Sequence, residues 1–120
     1  MRYNLAMAIL KIDHQPVENE ITLLTQEYPK YIKLSVDIKQ QILYGGSRLH
    51  FECEQKLIEN ENSKNEDIWS GGVNLITKKI EYTAVANIKP SVNNASIEIL
   101  DSEIREKFKN IVKKYFPDYE

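Results

Sequence analysis

The chain has 120 residues, 42% of them hydrophobic and 28% charged, with 16 basic and 18 acidic side chains and a formal net charge of -2. This length suits a single domain over residues 1–120, large enough to fold around one core without staples. The charge balance excludes a general attraction to nucleic acid or anionic membrane, and the lone Cys53 rules out an internal disulfide, as expected of a cytoplasmic protein.

Leu5 to Ile12 is a near-continuous apolar run that reads as a buried strand; it is too short to span a membrane. Pro16 suits the first turn of a helix, and Val17, Ile21, Leu24 and Tyr28 follow at helical spacing until Pro29 ends the pattern. From Tyr31 to Ile58 the sequence predicts a long β-hairpin with Gly45-Gly46 at its tip. In that register Ile42 faces Leu49, Ile38 faces Cys53 and Leu34 faces Leu57, so both apolar sets share one side. Glu59 to Asp67 reads as a polar loop. Ile68 to Thr77 and Ile80 to Ile88 read as two further strands, joined near Lys78 without an obvious turn residue. Lys89 to Asn94 is turn-rich, with Asn87, Asn93 and Asn94 suited to capping turns, and Ser96 to Leu100 is a candidate edge strand. Asp101 or Ser102 caps a last helix whose stripe is Ile104, Phe108, Ile111, Val112 and Tyr115. The expected fold is α+β: a two-layer sandwich of a mostly antiparallel sheet, about five strands, with two helices on one face.

The polar side of the predicted hairpin carries the candidate chemistry. There Asp37 faces Glu54, Lys39 faces Glu52 and Gln41 faces His50. Lys39 with Glu52 is an ordinary cross-strand ion pair, but two carboxylates directly opposite repel. Relief could come from Lys33 or Lys39 between them, from a shared proton, or from a divalent metal held by Asp37, His50, Glu52 and Glu54. His50 and Glu54 are the candidate catalytic residues of such a site. No H-E-x-x-H signature or Ser-His-Asp set supports them. Cys53 falls on the apolar side as a small core residue, and His14, beside Asp13, reads as a surface residue at a helix start. Trp69, before Gly71-Gly72, reads as a packing residue. Lys107, Lys109, Lys113 and Lys114 form a local basic excess that complements the dipole of the last helix.

In order along the chain stand Lys33-x-x-x-Asp37-Ile38, Gly45-Gly46, Leu49-His50-x-Glu52-x-Glu54-x-x-Leu57, Asp67-Ile68-Trp69-x-Gly71, Asn87-Ile88-x-Pro90, Asn94-x-Ser96-x-Glu98-Ile99 and Ile104-Arg105. This series resembles a family of short bacterial proteins, frequent in cyanobacteria, catalogued as a domain of unknown function. The chain departs from that family's pattern at Glu52, where Asp is usual, at Lys89, where Arg is usual, and at Glu61-Asn62-Ser63, in place of a Gly-Ser turn. The resemblance implies no activity. It does imply that His50, the nearby acids, Trp69 and the segment from Asn87 to Pro90 form one recurring constellation.

The functional expectation is a non-catalytic protein-binding or assembly module, acting as a homo-oligomer or with a protein partner, without membrane or nucleic acid. The alternative is a small metal-dependent hydrolase of a phosphorylated substrate, using Asp37, His50, Glu52 and Glu54.

Overall fold

The computed structural model of the chain describes residues 9–120. A five-stranded antiparallel sheet carries the fold, in the order β1-β3-β2-β4-β5. Its strands are β1 (Leu10–Lys11), β2 (Tyr31–Asp37), β3 (Ile42–Gly45), β4 (Ile68–Asn74) and β5 (Lys79–Glu81); the helices are α1 (Glu18–Leu24), α2 (His50–Glu61) and α3 (Ser102–Tyr115). The α+β class and the sheet are those the sequence predicts. Of the expected first strand, residues 5–8 lie outside the described residues.

The hairpin differs from expectation. It turns at residues 38–41, with Asp37 opposite Ile42 and Leu34 opposite Gly45. Asp37 makes the turn: its Oδ1 accepts the N–H groups of Lys39 and Gln40, and Gln41 takes a left-handed φ of 61°. Gly45 ends β3 instead of forming the tip. It lies between Leu10 and Leu34 of the flanking strands, and a Cβ there would come within 2.6 Å of the Leu34 side chain.

The segment after Gly46 folds as a helix, not as a second arm. Leu49, Cys53 and Leu57 satisfy a period of two and a spacing of four equally well, and the run of Glu, Gln, Lys and Leu favours helix. The Glu52 carboxylate accepts the Leu49 N–H at 2.9 Å, closing the first turn, and Asn62 ends the helix with a left-handed φ of 56°. The same device opens α1, where Glu20 accepts the Val17 N–H at 3.0 Å. The predicted pairings of Asp37 with Glu54, Lys39 with Glu52 and Gln41 with His50 therefore do not occur. The first part of the expected 59–67 loop is the end of α2.

Both sheet faces are covered. Ile32, Leu34 and Val36 of β2 pack with Leu43, Val73 and the Phe108, Ile111 and Val112 stripe of α3, and Leu24 of α1 joins them, so α1 and α3 share one face. On the other face Cys53 and Leu57 of α2 pack with Tyr44 and Ile68. The four-residue turn sets Ile42 and Tyr44 on the α2 side, away from Ile32, Leu34 and Val36. The expected strand from Ile80 to Ile88 stops at Glu81, and the candidate strand from Ser96 to Leu100 contributes one bridge, Thr83 to Glu98. The turn before β5 is built by Asn74, whose Oδ1 accepts the Ile76 and Thr77 N–H groups. Asp101 caps α3 by accepting from Glu103 and Ile104.

Candidate functional site

The first two turns of α2 bring His50 and Glu54, four residues apart on one helix face, over the middle of the sheet. His50 Nε2 lies 2.7 Å from the Gly71 carbonyl oxygen. A carbonyl only accepts, so Nε2 carries the hydrogen, and in the neutral ring Nδ1 is left as an acceptor. Burial draws the His50 pKa below the usual imidazole range against the pull of the Gly71 carbonyl, and Lys33 lowers it further.

Glu54 is buried. Its Oε1 accepts from Asn65 Nδ2 at 3.1 Å, while Oε2 has no hydrogen-bond partner. Asn65 also accepts from Lys89 Nζ at 3.2 Å, and that ammonium lies 5.9 Å from the centre of the Trp69 ring. Burial pushes Glu54 up, opposed by Lys89, and burial pushes Lys89 down, opposed by Glu54. Asn65 thus separates two opposite charges and bonds to both. Trp69 is packed in the core on the α3 side, with its indole nitrogen unpartnered.

Because the pKa of Glu54 is higher folded than unfolded, the native state holds a proton that the unfolded chain has released. Stability from this group falls as pH rises from the unfolded value, near 4.5, through the raised folded value, and is level above it. Glu54→Gln removes that slope. Denaturant titrations across this range should find the variant increasingly more stable than the parent as pH rises; a parent-like pH profile in the variant would contradict the assignment.

Asn87 is fully buried and holds β4 from the side. Beyond Gly72, β5 no longer pairs with β4, and the Asn87 carboxamide takes over as if it were a peptide group. Its Oδ1 accepts the Ser70 N–H at 2.8 Å and its Nδ2 donates to the Ser70 carbonyl at 2.8 Å. Nδ2 also reaches the carbonyls of Ile97 and Tyr82, at 3.1 and 3.4 Å. Asn94 continues the network, donating to the carbonyls of Asn87, Ser96 and Glu98 and accepting the Leu100 N–H. The two asparagines tie residues 82–100, which have little regular structure, to the sheet edge. Asn93 ends a short helical turn in a left-handed conformation.

His50, Glu54, Lys33, Leu49, Phe51, Val85 and Ala86 line a groove of about 390 Å³. Around it the surface is apolar: Leu49 is 46% exposed, Phe51 60% and Val85 76%. Ile97 lies close by, since its carbonyl accepts the Ala84 N–H, and Ile88, Ile97 and Leu100 in the same segment are also exposed. Among the described residues, six of the nine exposed large hydrophobic side chains belong to residues 49–51 and 85–100. This apolar concentration is the reverse of the polar face expected from a hairpin. Phe51, which would have pointed inward on a strand, points to solvent on a helix.

The proposed metal set does not converge. The Asp37 carboxylate is used by its own turn; burial would raise its pKa, but contacts from Ser63, Gln40 and Lys39 hold it below the usual range. Glu52 closes the helix start, and Glu54 is turned to Asn65. Among the described residues, no three His, Cys, Asp or Glu side chains are grouped to hold a metal ion. Cys53 is buried, donates to Ser47 Oγ at 2.9 Å, and burial pushes its thiol up to about 11. His14 is exposed and bridges Asp13 and Glu20, which raise its pKa, Glu20 most strongly. Among the described residues no helix is long and apolar enough to cross a membrane.

A family model described as a protein of unknown function, DUF5674, matches residues 10–115. The chain belongs to the DUF5674 family. No curated protein and no solved structure matches it. Within this DUF5674 chain, sequence reasoning passed over Asn65, Val85 and Ala86, while the family resemblance already set the segment from Asn87 to Pro90, with Lys89, beside His50 and the nearby acids. Asn65 lay in a stretch read as loop, and Val85 and Ala86 in one read as strand. His50 and Glu54 were grouped as neighbours on a strand face, and their four-residue spacing on a helix keeps them together at the groove.

Proposed function

We propose that this DUF5674 chain is an assembly module that pairs with a second copy of itself through the face around the groove. The observation that carries this reading is the gathering of exposed Leu49, Phe51, Val85, Ile88, Ile97 and Leu100 on α2 and the adjoining segment. Leu49, Phe51 and Val85 meet at the groove, and exposed apolar surface gathered in this way marks interaction sites. A two-fold interface must be self-complementary, with the same patch on both subunits. This face meets that demand, since it carries a projecting aromatic side chain, Phe51, next to a groove large enough to receive one. The groove wall is mainly Leu49, Phe51, Val85 and Ala86, and charge is sparse there, as at the centre of protein interfaces. Lys33 at the groove has no carboxylate partner among the described residues; its Nζ donates to the Arg48 carbonyl and lies over the Tyr28 ring.

Phe51→Asp tests the pairing. Phe51 is the second residue of α2, where an acidic side chain suits the helix dipole, so the variant should fold, with the melting temperature the parent has when diluted to the monomer. Each dimer loses two aromatic anchors, worth about 2 kcal/mol apiece, so the dissociation constant should rise by at least about a hundredfold. Sedimentation equilibrium measures this. A parent chain that stays monomeric into the millimolar range, or a variant that associates as strongly as the parent, contradicts the proposal.

A further inference from the structure

On the opposite sheet face, α3 and the β2–β3 turn enclose a second groove, of about 450 Å³, lined by Ile38, Lys39, Gln41, Lys107, Asn110, Ile111 and Lys114. Three lysines from two elements surround it, and no carboxylate is among the lining residues. None of the three forms an ion pair among the described residues. Glu103, one helical turn before Lys107, is not paired with it, and the nearby Asp37 carboxylate is turned into its own loop. Lys114, in the last turn of α3, complements the helix dipole. The dipole does not explain Lys107, in the middle of the helix, or Lys39, which belongs to another element. Lys107 and Lys114 are seven residues apart, two turns on one stripe, with Asn110 and Ile111 between them. Lys114 is held by Gln41 Oε1 at 2.6 Å, and Gln41 is set by its left-handed backbone. In a chain of net charge -2, three unpaired cations around one cavity repel each other until an anion enters.

From this geometry we infer that the groove binds a small organic phosphate: lysine ammoniums around its phosphate groups, Asn110 and Gln41 as polar partners, and Ile38 and Ile111 as the apolar floor under its organic part. The volume lies within the range of small-ligand pockets. The groove is independent of the pairing face, which lies across the sheet.

The test is titration of the full chain with adenosine diphosphate, pyrophosphate and adenosine, followed by amide shifts in two-dimensional NMR. Saturable shifts confined to residues 38–41 and 107–114 are expected with adenosine diphosphate, and at least about tenfold weaker binding of adenosine. Lys107→Glu and Lys114→Glu replace exposed side chains and should keep the fold while each weakens binding about tenfold or more; Lys109→Glu, outside the groove, should not. Three results would overturn the inference: no saturable shifts, equal weakening by Lys109→Glu, or a single-stranded oligonucleotide binding more tightly than adenosine diphosphate at equal phosphate concentration.

Discussion

Replacing Asn87 by alanine should lower stability by about 3 to 4 kcal/mol, a large share of what a domain of this size has. The side chain makes no exposed contact. It satisfies both backbone groups of Ser70 in the interior and reaches the part-buried carbonyls of Ile97 and Tyr82. Alanine leaves the buried Ser70 N–H and carbonyl without the carboxamide, whereas the Tyr82 and Ile97 carbonyls keep the N–H groups of Ile99 and Ala84, and each orphaned group costs about 1 to 3 kcal/mol before relaxation. Asn87→Asp separates shape from chemistry. It keeps the acceptor for the Ser70 N–H but sets a carboxylate oxygen against the carbonyls, so it too should be strongly destabilised. Urea unfolding measures both. A loss below about 1 kcal/mol in either variant would mean that water replaces the carboxamide and that residues 82–100 are held in some other way.

Gly71→Ala should cost about 3 kcal/mol or more, for a reason of space and not of backbone angle. A Cβ at Gly71 would stand 2.0 Å from the Glu81 carbonyl oxygen and 3.1 Å from the Phe108 ring. The oxygen belongs to the backbone of β5, so relief requires the two strands to part. The same residue offers its carbonyl to His50, so movement of β4 also loosens the start of α2. Thermal unfolding together with the His50 imidazole shifts in NMR reads both effects. A fully stable Gly71→Ala protein with unaltered His50 signals would contradict this packing.

Much of the fold was legible because its signals were redundant. The α3 stripe repeats at helical spacing from Ile104 to Tyr115 and is capped by Asp101. In β2, Ile32, Leu34 and Val36 alternate cleanly onto the α3 side. The segment after Gly46 was not legible for a physical reason. Leu49, Cys53 and Leu57 fit both periods, the helix-forming run around them is a weak signal, and the burial of Cys53 and Leu57 against Ile68, distant in sequence, adds what no local pattern shows. A glycine pair also imitates a hairpin tip, while the true turn is made by Asp37, a weaker signal in a run of Ile, Lys and Gln. One wrong period then moved His50, Glu52 and Glu54 together from a strand to a helix. His50 and Glu54 do come to one groove, but by helical spacing, whereas Asp37 and Glu52 are occupied by local hydrogen bonds. The part played by Asn65 and Lys89 depends on contacts 11 and 24 residues apart in sequence, which no local pattern encodes.

Pairing through one face is tested most directly by a measurement that reports position as well as association. Amide and methyl NMR spectra recorded over a wide concentration series of the unmodified chain should change progressively, with shifts concentrated in residues 49–54 and 84–100 and a two-state concentration dependence. Spectra independent of concentration, or shifts centred instead on α3 or on β5, would contradict the pairing of two copies through the Phe51 face.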